Sequence, residues 1–333
     1  MIKINPLSES IREITVKRPN KEIFSFMTLG ATWTRWQRAD GVEMLVRYDD
    51  FRDYLEPGIY PGSTVGPLAG RVENGRFTLG KKTYAFTEGK PILHCDDFGF
   101  SFENFALDYI RNYPEETVVA FKLRYAKKNY PGTITVAVEY LLRESEVRIV
   151  FRASTSSLSA LNVTNHAYFN LDGDFTQPLA SHELLVHADQ VVLVDQDMIG
   201  RELLSVKGTP FDFLRRRSIV EACDSEILRD GPAKGLDHYF LLASKRPFAL
   251  ELVSRKAGKR LVVETSYPGV VLYATNHPLT KPIQTGKLIP VHGALAIEPQ
   301  FMSNAINDSR FPGYELKKNE VYEHFIHYRL EAL

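Results

Sequence analysis

Asn162-Val163-Thr164-Asn165-His166-Ala167-Tyr168-Phe169-Asn170-Leu171 is the stretch on which the reading of this chain turns. Val163, Tyr168 and Phe169 favour extended backbone. On a strand, successive side chains point to opposite faces, so Asn162, Thr164, His166, Tyr168 and Asn170 fall on one face. Val163, Ala167, Phe169 and Leu171 make the other face apolar. A strand facing solvent alternates in the same way, but its polar positions are commonly Lys, Glu or Thr. Three asparagines in one stretch, together with a tyrosine and a histidine, fit a concave sheet that lines a polar cleft.

Outward from that stretch the chain reads as strand after strand. Glu13–Lys17, Glu22–Trp36 and Glu43–Tyr48 are rich in Ile, Val, Phe and Thr. Asp50–Leu55 makes one helical turn before Pro57-Gly58 stops it. Tyr60–Asn74, with four glycines spaced through Gly75, is loop. Arg76–Phe86 reads as a hairpin turning at Gly80-Lys81-Lys82, and Pro91–Phe102 as irregular. Strands follow at Ala106–Ile110, Thr117–Tyr125, Thr133–Leu142 and Glu146–Ala153, and after the central stretch at Glu183–His187 and Gln190–Val194. Further strands are expected at Leu236–Leu242, Phe248–Ser254, Arg260–Thr265, Val270–Thr275, Ala294–Ile297 and Val321–Leu330. The helix candidate starts at a capping box, Ser218-Ile-Val-Glu221, with Ile219, Cys223 and Ile227 on one face and a stop at Gly231-Pro232. These elements predict an all-β antiparallel sandwich with one or two short helices, in a single domain over residues 1–333.

Composition narrows the function. Lys plus Arg and Asp plus Glu number 41 each, and the basic run Arg215-Arg216-Arg217 is short, so nothing favours nucleic acid. The beginning, MIKINPLSES, has no apolar run of a signal peptide, and no stretch of eighteen apolar residues offers a membrane span. Two cysteines, Cys95 and Cys223, make no disulfide framework and are expected as free thiols in a reducing cytoplasm. The glycines of 62–75 match no phosphate loop or dinucleotide fingerprint. His324 and His327, three apart on a strand, face opposite ways and do not pair as metal ligands.

The candidates for chemistry are polar residues set in apolar surroundings. Arg71 follows Gly66-Pro-Leu-Ala-Gly70, His94 follows Pro91-Ile-Leu93, Asp237 sits in Leu236-Asp-His-Tyr-Phe-Leu-Leu242, and Glu298 ends Gly293-Ala-Leu-Ala-Ile-Glu298. Each has a structural alternative: a surface ion pair of Arg71 with Glu73, or a hydrogen-bonded core histidine at His94. A carboxylate at the buried end of a strand acquires the raised pKa that proton transfer needs. Two histidines, two carboxylates and an arginine without a cofactor motif favour acid–base work on a neutral polyhydroxy substrate.

Those residues resemble one family, the aldose 1-epimerases or galactose mutarotases. Thr164-Asn165-His166-Ala167-Tyr168-Phe169-Asn170-Leu171 is similar to its Thr-Asn-His-Ser-Tyr-Phe-Asn-Leu signature. Gly70-Arg71-Val72-Glu73-Asn74-Gly75 with Phe77, Leu93-His94, Leu236-Asp237-His238, Tyr267-Pro268-Gly269 and Glu298-Pro299-Gln300 resemble its other landmarks, in order. The resemblance implies a β-supersandwich without metal or organic cofactor, interconverting the anomers of a hexose such as galactose or glucose, as monomer or homodimer. It implies Glu298 as base and His166 as acid, both with pKa shifted upward, and Arg71, His94, Asp237, Tyr168 and Tyr267 as sugar-binding residues. Gly70 stands where the family usually has Asn, Cys95-Asp96-Asp97 where it has Gly-Gly, and Tyr267 where it often has Gln. Only Phe, in Ser101–Phe105, stands where a Trp is common. A glycoside hydrolase using Asp237 and Glu298, a hexose-6-phosphate epimerase and a non-catalytic sugar-binding protein are the rival readings.

Overall fold

Residues 1–87 and 89–333 are described by a computed structural model of the chain. A nine-stranded sheet runs in the order Ala106–Asn112, Thr117–Tyr125, Ile134–Arg143, Glu146–Thr155, Tyr322–Ala332, Lys259–Thr265, Leu250–Ser254, His182–Val186 and Arg217–Ser218. Strand pairs within it are antiparallel. In Ile134–Arg143 every second side chain from Ile134 to Leu142 is buried, which is the alternation of a sheet with one face on a core. A four-stranded sheet, Ile2–Pro6, Arg12–Lys17, Ile23–Met27 and Thr32–Gln37, contributes Trp33 and Trp36 to that core. Trp33 packs 5.6 Å from Tyr328 and 6.1 Å edge-on to Phe169, joining the two sheets and the central stretch in one aromatic contact.

A six-stranded sheet carries the polar residues of interest. Its order is Tyr168–Phe169, Leu295–Gln300, Gly269–Tyr273, Asp237–Leu242, Ala188–Val194 and Gly200–Ser205. The register sets Val192, Tyr239, Val271 and Glu298 in one cross-strand row, and Asp237, Tyr273, Ala296 and Tyr168 in the next. Residues of the opposite parity, among them Phe240, Val270, Leu272, Leu295 and Ile297, are wholly buried in the main core. Strand period alone therefore turns Asp237, Tyr239, Val271, Tyr273, Glu298 and Gln300 to one side.

The central stretch is not one strand. Thr164–Asn165 pairs with Thr64–Val65, Tyr168–Phe169 pairs with Leu295–Gln300, and His166-Ala167 lies between them. Its asparagines do not line a cleft. Asn162 Nδ2 donates to the carbonyls of Ala69 and Phe301, Asn165 Nδ2 to that of Gly62, and Asn170 Nδ2 to those of Asp174 and Gly293. Thr164 Oγ1 donates to the Pro299 carbonyl. These side chains are spent on backbone carbonyls of neighbouring loops and of the strand Leu295–Gln300, so of the supposed polar face only His166 and Tyr168 remain for chemistry.

Other elements follow the sequence with local corrections. Glu43–Tyr48 makes single bridges at Glu43, Leu45 and Tyr48 rather than a strand. Glu22–Trp36 divides at Gly30, whose φ of +64° ends one strand before the next begins. The capping serine holds: Ser218 Oγ accepts from Glu221 N–H at 3.3 Å. The helix, however, breaks into Ile219–Cys223 and Glu226–Asp230. The break at Asp224-Ser225 shifts the phase by one residue, so Leu228 is buried while Ile227, expected inside, is 61% exposed. Cys95 and Cys223 are free and buried.

Candidate active site

The six-stranded sheet is the floor of a cleft of about 220 Å³ lined by Arg71, His94, His166, Tyr168, Asp237 and Glu298 together with apolar residues. Arg71 and His94 arrive through a two-strand pairing, Arg71–Val72 with Ile92–Leu93. Gly70 N–H donates to His94 Nδ1 at 3.0 Å, and His94 N–H donates to the Gly70 carbonyl at 2.9 Å. His94, Cys95 and Asp96 all have φ between +44° and +67°. Three successive non-glycine residues in the left-handed region are costly, and such strain concentrates where a side chain must be aimed. His166 is fixed by its own backbone: its N–H donates to the Ser63 carbonyl, and its carbonyl accepts from Gly62 N–H, both at 2.9 Å. Its ring stacks on Tyr168 at 4.9 Å and meets His94 edge-on at 5.3 Å.

Glu298 Oε1 lies 3.4 Å from His166 Nε2, and both side chains are almost fully buried. Burial, then the neighbouring Asp237, pushes the Glu298 carboxyl well above the usual range, with Arg71 opposing. Burial pulls His166 down to about 3, the reverse of the upward shift expected from a nearby carboxylate. Desolvation decides the outcome because it penalises both charged forms, and so favours the neutral carboxyl and the neutral imidazole. His166 Nδ1 is buried without a hydrogen-bond partner. Asp237 Oδ2 stands 3.8 Å from Arg71 Nη1; burial raises Asp237, and Arg71 and His277 oppose it.

His94, His166 and Glu298 place possible ligand atoms within 4.8 Å of one another, an arrangement that resembles a metal site. The bond from Gly70 argues against that use. It occupies the lone pair of His94 Nδ1 and puts the proton on Nε2, so the free edge of the ring is a donor rather than a ligand. Burial, His166 and Arg71 all hold His94 in this neutral form.

Tyr267, expected at the sugar, is a correction. It is wholly buried outside the cleft; its hydroxyl donates to the Val163 carbonyl at 2.5 Å and lies 2.7 Å from the Tyr322 hydroxyl. Its ring stacks on His324 at 4.4 Å. Residues the sequence reading passed over also line the cleft, notably Tyr60, Tyr239, Tyr273 and Ser303, as does Gln300, quoted there as a landmark without a role. Tyr239 and Gln300 follow by parity from Asp237 and Glu298, two residues on along the same strands. Tyr273 needs the register to be known.

A family model described as Aldose 1-epimerase matches residues 12–329. The chain belongs to the aldose 1-epimerase family. The galactose mutarotase of Sus scrofa is 31% identical over 303 residues, covering 89% of this chain and 86% of that protein. The aldose 1-epimerase of Escherichia coli K12 is 27% identical across 98% of this chain and 97% of its own. Among solved structures, galactose 1-epimerase from Lactobacillus acidophilus NCFM superposes with a TM-score of 0.85 at 25% identity, covering all of this chain and 98% of that one. An aldose epimerase homologue from C. elegans gives 0.85 at 26%, covering both chains fully. The all-β antiparallel fold of this aldose 1-epimerase family member is thus that of galactose mutarotase-like proteins, and its class is that of an isomerase.

Proposed function

We propose that the chain interconverts the α and β anomers of an unphosphorylated aldose such as galactose or glucose, with Glu298 and His166 moving the protons. The observation that carries this reading is the buried Glu298–His166 pair at 3.4 Å. Two oxygens on one anomeric carbon, the hydroxyl and the ring oxygen, need two proton-transfer groups side by side. In ring opening, the Glu298 carboxylate takes the hydroxyl proton while the His166 imidazolium protonates the ring oxygen, and the C1–ring-oxygen bond breaks. This leaves a neutral carboxylic acid and a neutral imidazole beside the open-chain aldehyde. Both groups are then uncharged, which is the direction in which burial shifts each of them. Rotation about C1–C2 presents the other carbonyl face. Glu298 then returns its proton to the carbonyl oxygen and His166 accepts that of the attacking hydroxyl, restoring the starting pair.

His94 Nε2–H, Arg71 and Asp237 supply the donors and acceptor for the remaining hydroxyls, and Tyr168 supports the His166 ring. Arg71 is already paired with Asp237, and among the described residues no other Lys or Arg lines the cleft to meet a phosphate dianion, which favours a neutral sugar. A glycosidase would need two carboxyls flanking the bond. Here the group beside Glu298 is an imidazole, and Asp237 faces an arginine. Polarimetry on freshly dissolved single-anomer sugars, free and phosphorylated, tests the reading. Accelerated mutarotation of a free aldose is expected; release of reducing sugar from a disaccharide, or binding without acceleration of any sugar, would overturn it.

A further inference from the structure

One wall of the cleft takes no part in the proton transfers. Gln300 lies two residues beyond Glu298 on the same face of the strand Leu295–Gln300, about 6.6 Å further along it. Asp237 pairs with Tyr273 and Tyr273 with Ala296, so Asp237 is level with Ala296, and Asp237 and Gln300 lie on opposite sides of the Glu298 row. Gln300 is 0% exposed, lines the cleft, and keeps its Oε1 without a hydrogen-bond partner. Its Nε2 donates to Ser303 Oγ at 3.0 Å, and Ser303 also lines the cleft. The third member of this corner is Gly70, with φ of +80°. A Cβ there would stand 1.8 Å from Ser303 Oγ and 3.4 Å from Gln300 Nε2. The glycine is thus what leaves room for the serine hydroxyl, and any side chain at 70 would displace it.

A buried amide oxygen that no protein group pairs is unfavourable unless a molecule bound in the cleft supplies the missing hydrogen bond. The inference does not depend on which way round the amide sits. As placed, Gln300 offers a free acceptor and the serine keeps its hydroxyl proton to donate. With the amide reversed, the serine donates to Gln300, leaving a free amide donor and an acceptor on Oγ. Either way the pair shows one donor and one acceptor, the complement of a hydroxyl, which is itself both.

We propose that Gln300 and Ser303, in the space vacated at Gly70, form a specificity subsite that reads a single sugar hydroxyl on the side of Glu298 away from Asp237. This rests on the anomer-exchange reading of the cleft. A site built to hydrogen-bond a hydroxyl rejects the analogue that lacks it, since its own polar groups are then left unpaired. Galactose and glucose and their 2-, 3-, 4- and 6-deoxy analogues are the probes. Exchange is followed by magnetisation transfer, and binding to the same sugars by titration calorimetry. In the wild type one deoxy position should lower kcat/KM by about tenfold or more. Gln300→Leu and Ser303→Ala should each cut that one penalty to about twofold or less, leaving the other deoxy penalties in place. An identical pattern of penalties in wild type and both variants would overturn the proposal. If Gln300→Leu fails to fold by circular dichroism, Ser303→Ala, at a partly exposed position, decides alone. If the wild type exchanges no sugar, the activity reading fails, and the calorimetric deoxy series still decides the subsite by the same comparison.

Discussion

At the residue scale, the environment of Glu298 and His166 sets the pH dependence. Activity needs the pair to hold one proton in total, since one group must give as the other takes. A second proton switches it off at low pH, and loss of the first switches it off at high pH. His166 lies at about 3 against an ordinary 6.5, so the acid limb should fall below 6.5. Glu298 lies well above its ordinary 4.5, so the alkaline limb should fall above 4.5. Burial therefore assigns the acid limb to His166 and the alkaline limb to Glu298, and a profile whose acid limb stood above 6.5 would contradict this assignment. His166→Asn should lower turnover by about 10²–10⁴-fold, the usual contribution of a positioned acid or base. The Glu298→Gln/His166→Asn double variant should lose far less than the product of the single losses, because the two act in one step. Asp237→Asn also leaves Arg71 without its partner and should raise KM for the sugar, which steady-state kinetics would show. Of the side chains singled out in the sequence, Arg71, His94, His166, Tyr168, Asp237 and Glu298 line one cleft. Polar groups embedded in apolar runs are conspicuous because burying them without purpose is costly. The direction of the His166 shift was not legible, since a neighbouring carboxylate argues one way and burial the other, and depth of burial is a tertiary quantity.

At the scale of elements, Tyr267 shows where sequence reading fails. A substitution within a motif reveals that an amide is missing, not where the longer side chain goes. The Tyr267 hydroxyl needs a buried partner and finds the Val163 carbonyl, while Val163 N–H donates to the Tyr322 hydroxyl. Two tyrosines thus hold both polar groups of one residue, three before His166. Tyr267→Phe would leave that carbonyl unpaired and should cost about 1–3 kcal/mol of stability. Thermal unfolding should show a lower Tm and kinetics a lower kcat, with KM and the ranking of sugars unchanged. A changed ranking would return Tyr267 to the sugar. The same limit explains the helix after Ser218: its cap is local and readable, whereas the break that buries Leu228 instead of Ile227 is set by packing.

At the scale of the molecule, the all-β antiparallel class was readable from period-two alternation, and the pairing order was not. The nine-stranded order places Tyr322–Ala332 between Glu146–Thr155 and Lys259–Thr265, a return over most of the chain that no local pattern reports. The six-stranded sheet depends on this arrangement: its core face is closed by the larger sheet's aromatic side chains, which leaves its other face free to be polar. Among the described residues no helix is long and apolar enough to cross a membrane. The fold thus brings residues from Gly58 to Ser303 into one cleft, with the Glu298–His166 pair inside it. The decisive measurement is the anomer-exchange rate of Glu298→Gln at saturating galactose or glucose, with sugar binding checked by calorimetry on the same sample. Binding within about threefold of wild type, with exchange slowed by about 10²-fold or more, is the predicted result. Exchange above about a tenth of the wild-type rate, less than one ~1.4 kcal/mol step of barrier, would contradict it and make another group the base.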